Sequence, residues 1–187
     1  MAEIKRFKTF RKIQTIVSLV LFAAVFIFCW NTSKFELKNI QLSYWGIDEH
    51  LGFIWNLCIA VLSISTGINT CHYIASNNRM EYKNAFYVAF VAVSISLFIT
   101  GVVTMAHPLH DITARFYFFV CPLSIFMMAH WNRKHLQYSE WFTHTAVSIS
   151  MVVVPLILLE LFHGMAIAET AHSVIAIGWN IWLLSDD

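Results

Sequence analysis

The chain is 187 residues long, 58% hydrophobic, 16% aromatic and 12% charged, with a formal net charge of +1. Soluble domains carry about 25% charged residues, so this composition excludes a disordered chain and an ordinary water-soluble enzyme. The near-neutral charge leaves no basic surface to collect polyanions, which excludes nucleic acid as a partner.

The apolar runs predict an all-α polytopic membrane protein. Six transmembrane helices are expected over 13–30, 51–75, 84–106, 109–131, 141–163 and 167–184, in one bundle and a single domain covering 1–187. Each run has 18–25 residues. About 20 residues at 1.5 Å each cross a hydrocarbon core of about 30 Å. The first run follows a basic start, Lys5 to Lys12, as a secretory leader does. No small-x-small cleavage site follows it, which predicts a retained helix.

Residues 31–50 form the one long loop. Phe35, Leu37, Ile40, Leu42, Tyr44 and Trp45 make it too apolar for a free linker. It is expected to lie across the outer face as a cap, with Tyr44 and Trp45 at headgroup depth. The second run carries Asn56, Ser63, Ser65, Thr66, Asn69 and Thr70, which either line a polar path or bond neighbouring helices. Ala92–Ser96 of the third run recurs as Ala146–Ser150 of the fifth, a pattern of close helix packing. Pro122 and Pro155 each remove one backbone hydrogen bond and predict kinks in helices four and five. Cys29, Cys58, Cys71 and Cys121 fall in or beside apolar runs, as packing thiols do.

Lys and Arg set the orientation. The N-terminus, 76–83 and 132–140 hold nine of the twelve, Lys34 and Lys38 lie on the opposite side, and Arg115 is inside a helix. Both termini are therefore expected in the cytoplasm. Short loops and the absence of a sorting signal suggest a bacterial inner membrane.

Ionisable groups inside a bilayer cost about 2.5–3.5 kcal/mol each on insertion scales, so their positions are informative. Here they gather at the outer ends of helices four, five and six. Pro108 suits a first helical position, which makes His107 the N-cap of helix four. His110, Asp111 and Arg115 then share one face. Glu160 and His163 end helix five, Glu169 and His172 begin helix six, and His50 enters from the loop.

Four readings fit this pattern. It is a structural ion-pair network, with Asp111 and Glu169 also favoured by helix dipoles. It is a pocket of His110, Asp111, Arg115, Glu160, His163, Glu169 and His172 for a lipid headgroup or a membrane-protein partner, with the Arg115 fork matched to phosphate. It is a zinc centre on His107, His110 and His163 serving a metal-dependent lipid hydrolase or transferase. Or His72, His130 and His144 with His110 and His172 hold two b haems. Arg115 is the only permanent cation at that depth, so Glu160 or Glu169 is expected within salt-bridge distance of it.

The order of features resembles a known family. Leu42-Ser-Tyr-Trp-Gly46 in the loop, Asn56, Gly101, His110-x-x-x-Ala114 and a last helix from Gly164 to Trp182 carry the likeness. They are similar to the bacterial membrane family called domain of unknown function 998 and, more distantly, to the DRAM, Frag and Sfk six-helix proteins. The likeness runs from about residue 13 to 184. It implies a six-helix membrane fold and a link to lipid handling or membrane-protein regulation, with no settled catalytic mechanism. Ser43, Gly46, His110 and Ala114 are the positions it carries over. Glu169 stands where the family pattern has a basic residue.

Overall fold

The computed structural model describes residues 2–33, 41–103, 105 and 107–185, with backbone alone for 2–8 and 185. Among the described residues there are six long helices: α1 (Ala2–Thr32), α2 (Gly52–Ser76), α3 (Lys83–Val102), α4 (Pro108–Trp131), α5 (Tyr138–Phe162) and α6 (Met165–Ser185). A short 3-10 helix, Leu42–Ile47, precedes α2. Segments of α1 to α5 are long and apolar enough to cross a membrane. The sixth helix is long enough but falls short in apolar character, because Glu169, His172 and Asn180 interrupt it.

Side chains such as Val20, Phe53, Val88, Phe119 and Leu161 point outward and are exposed. That surface suits hydrocarbon rather than water, and the chain is a helical membrane protein. Each helix packs on the next in sequence, as short turns dictate, and α6 returns to touch α2 and α1. The helices therefore alternate in direction. The 3-10 helix packs on α2 and α6 and marks one end, here the cap end; the opposite end carries the α2–α3 and α4–α5 turns.

Two apolar clusters hold the bundle. Near the cap end, Phe22, Trp45, Leu51, Trp55 and Leu62 pack together. Towards the opposite end, Ile74, Phe90, Ile125, Met128, Met151 and Trp179 do so. Trp45 departs from the expected headgroup position. It is buried, with its ring edge-on to Trp55 at 4.8 Å and to Phe26 at 5.4 Å. Aromatic packing at such distances stabilises more than interfacial hydration would. Tyr44 is exposed. Phe35, Leu37, Ile40, Lys34 and Lys38 lie outside the described residues.

Element ends follow local chemistry. His107 is the N-cap of α4, its Nδ1 accepting the Leu109 N–H at 3.1 Å with Pro108 in the first turn. Gln137 and Glu140 form a capping box, so α5 starts three residues before the apolar run. Helix α1 starts eleven residues early because its basic start continues the same helix. Helix α3 stops at Val102 rather than 106. Pro122 and Pro155 sit inside uninterrupted helices. All four cysteines are free thiols.

Candidate functional site

A cavity of about 250 Å³ opens inside the bundle. On α2 its wall runs through Trp55, Asn56, Ile59, Leu62, Thr66 and Thr70, positions that recur at helical spacing on one face. From Trp55 to Thr70 the wall is about 22 Å long at 1.5 Å per residue. Helices α3, α4 and α6 supply the other walls. At the cap end Asp111 and Arg115 line it and are exposed. At the far end Thr70, Phe90, Trp179 and Asn180 line it and are each at most 5% exposed. The exposure gradient places the mouth at the cap end and the floor deep in the bundle.

The shaft is more apolar than its sequence suggests. Thr66, Ser94 and Thr100 all line it, yet their hydroxyls donate to the Leu62, Phe90 and Ser96 carbonyls of their own helices at 2.8–2.9 Å. Satisfied in that way, they offer the lumen mostly carbon. Leu97, Cys121 and Ile177 complete the apolar lining.

The floor is fixed by buried polar contacts. Asn69 Nδ2 donates to the Asn180 carbonyl at 2.9 Å and to its Oδ1 at 3.2 Å, tying α2 to α6. Trp179 Nε1 donates to His144 Nδ1 at 3.0 Å. That nitrogen is therefore unprotonated, so His144 Nε2 carries the proton and donates to Tyr73 Oη, also at 3.0 Å. His144 is fully buried.

Near the mouth, the 3-10 helix is held from two sides. Glu169 Oε2 accepts the Leu42 N–H at 2.7 Å. Asn56 Nδ2 donates to the Gly46 carbonyl at 3.0 Å. A Cβ on Gly52 would stand 2.7 Å from that same carbonyl oxygen, so glycine is what lets the cap meet α2. Outside the helices, Asp48 Oδ1 accepts the His50 and Leu51 N–H groups at 2.8 and 2.9 Å. The Leu51 and then the His50 bond hold its carboxyl below the ordinary value.

Of the expected site residues, His110, Asp111, Arg115 and Glu169 line the cavity. His110 is buried, with Nδ1 donating to the Val103 carbonyl at 2.9 Å. Glu160 and His163 are exposed and lie outside it. His163 caps α5 in the left-handed conformation, φ 54°. His172 turns away to α5, donating from Nδ1 to the Met151 carbonyl at 3.0 Å.

The expected ion pair is corrected. Among the described residues no carboxylate lies within salt-bridge distance of Arg115; the pair that forms is His135 with Glu81, at 2.8 Å and at the opposite end. Glu169 bonds the Leu42 N–H instead, and because α6 begins at Met165 it lies past that helix's first turn, where a helix dipole would have favoured it.

The proposed zinc ligands are not brought together either. Among the described residues, no three His, Cys, Asp or Glu side chains are grouped to hold an ion. His107 is occupied as a cap, His110 faces Val103 and His163 faces out. For haem, His144 has both ring nitrogens engaged and no lone pair left for iron. His130 is exposed, stacked on Phe126.

Sequence reasoning missed Gln41, Tyr117, Trp179 and Asn180 as lining residues, and Tyr73 behind the floor. An asparagine in the last apolar run was the available signal, because an amide in hydrocarbon needs a partner. No family model, curated protein or solved structure matches the chain. Ser43, Gly46, His110 and Ala114, the positions carried over from the family resemblance, all line this cavity.

Proposed function

We propose that this is a bacterial inner-membrane protein of six transmembrane helices that binds a membrane lipid. Both termini face the cytoplasm and the cap faces out, in keeping with the Lys and Arg distribution. The lipid headgroup rests among His110, Asp111, Arg115 and Glu169, and a hydrocarbon chain enters the shaft. One observation carries this reading: a cavity with acidic and basic side chains at an exposed mouth and a largely apolar, buried far end, running along about 22 Å of α2. Water alone gains little from such a shaft, whereas an amphiphile matches both of its ends. The resemblance to the family of unknown function belongs to this reading, since the positions it carries over line the same cavity.

The experiment is lipid co-purification. Arg115→Gln removes a fork whose charged hydrogen bonds are worth about 1.5–3 kcal/mol. Bound phospholipid, counted by mass spectrometry of the purified protein, is expected to fall about tenfold or more. Unchanged lipid content together with an unchanged melting temperature overturns the proposal.

A further inference from the structure

The charges at the mouth are unevenly matched for a simple anion. Arg115 supplies one cation, while Asp111 and Glu169 supply two carboxylates lining the same cavity. An anionic headgroup would meet one basic and two acidic side chains. Asp111 and Arg115 stand one turn apart on α4, about 5–6 Å between Cβ atoms. They form no ion pair with each other, which leaves both side chains open to a third group. Glu169 spends one oxygen on the Leu42 N–H and retains its other.

Building on the lipid reading, we infer that the mouth recognises a zwitterionic phosphoethanolamine headgroup, phosphate on Arg115 and ammonium between Asp111 and Glu169. The planar guanidinium binds phosphate oxygens in a bidentate manner. Two carboxyl side chains lining the same cavity complement a cation joined to that phosphate by a two-carbon link. They also choose the type of cation. Carboxylates accept N–H bonds, which a primary ammonium offers in three directions. A quaternary ammonium has none to give, and sites that take one surround it with aromatic faces. The mouth charges come from acids, so the primary amine is the better fit. Discrimination thus arises from hydrogen bonds that the wrong headgroup leaves unmade.

The test uses the full chain in phosphatidylglycerol nanodiscs, titrated with lysophospholipids of one acyl chain and three headgroups. These are phosphoethanolamine, phosphocholine and bare phosphate, with bound copies counted by native mass spectrometry. Phosphoethanolamine is expected to bind about tenfold more tightly than either of the others. Asp111→Asn is expected to erase most of its advantage over bare phosphate while leaving binding of bare phosphate equal or tighter. Arg115→Gln is expected to weaken all three. Equal affinity for phosphoethanolamine and phosphocholine, or an unchanged headgroup ratio in Asp111→Asn, overturns the headgroup assignment and leaves the lipid reading standing. Absence of binding by all three overturns the lipid reading itself. A melting curve of each variant identifies one that has failed to fold; Glu169→Gln, which keeps an oxygen for Leu42, then replaces Asp111→Asn and carries the same expectation.

Discussion

His144 is locked as a neutral donor-acceptor because the Trp179 indole can only donate and so claims one ring nitrogen. A hydrogen bond between membrane helices is worth about 0.6 kcal/mol on average. Leaving a buried partner unmade costs about 1–3 kcal/mol, so the loss of His144 outweighs the bonds it makes. His144→Phe is therefore expected to destabilise the protein by about 2 kcal/mol. Thermal denaturation in detergent measures it, and a melting temperature equal to the parent's would contradict the argument. His163 makes the opposite case. A left-handed conformation costs a side-chain-bearing residue about 1–2 kcal/mol, while glycine's extra chain entropy costs about 0.5–1. His163→Gly is expected to raise stability by about 0.5–1 kcal/mol, and to leave lipid content alone because the side chain lies outside the cavity.

At the scale of elements, the joint between the 3-10 helix and α2 is the least forgiving. Gly52→Ala would drive a methyl group into the Gly46 carbonyl, and the Asn56 amide holds that carbonyl in place. Overpacking of this kind costs about 1–3 kcal/mol. The expected outcome is a loosened cap, seen as faster hydrogen exchange at 42–47 with the helices unchanged. Gly178 has nothing within 4 Å of its would-be Cβ, so Gly178→Ala serves as the contrasting variant and is expected to stabilise slightly. Asp48 gives the joint a pH dependence. Its folded pKa lies below the ordinary 3.8, so its contribution is complete above that value and is lost as pH falls through the lower folded one. Resistance of residues 41–51 to pepsin should follow that course, and Asp48→Ala should be cleaved throughout the acid range in which pepsin works. A sequence reader sees the aromatic content of this loop but not its direction. Trp45 turns inward because Trp55 and Phe26 offer ring edges, a partnership that only the α1–α2 packing creates.

For the whole molecule, what was legible was whatever depends on local composition. The six helices appear within a few residues of their apolar runs, except where capping chemistry or a basic extension moved an end. Orientation makes a prediction at this scale. Cysteines placed at Glu49 and at Ser139, in a background lacking the native thiols, should react with an impermeant maleimide from opposite faces of oriented vesicles, Ser139 from the cytoplasmic one. Labelling of both from one side is the result that would defeat the alternating path. The mouth was legible in part. His110, Asp111, Arg115 and Glu169 drew notice because charge in hydrocarbon is conspicuous, and all four line the cavity. Glu160 and His163, grouped with them, lie outside it, since spacing along a helix says which residues share a face but not which way that face turns. Most of the floor was hidden, because tryptophan and tyrosine in an apolar run look like ordinary core.

One contact also sets an order of events in biogenesis. The carboxylate that fastens the cap belongs to Glu169, 127 positions after the Leu42 amide it binds. Ribosomes add about 5–20 residues per second, so roughly 6 to 25 s separate the synthesis of the two groups. Throughout that interval the cap lacks its anchor on α6, and the future cavity lacks a wall. A nascent chain therefore has its future cavity open on one side, and the last helix to arrive both completes the cavity and closes it. On the lipid reading proposed above, loading during insertion would need no later opening of the cap. A chain ended before Met165 should keep residues 41–51 open to protease however long it is left to mature.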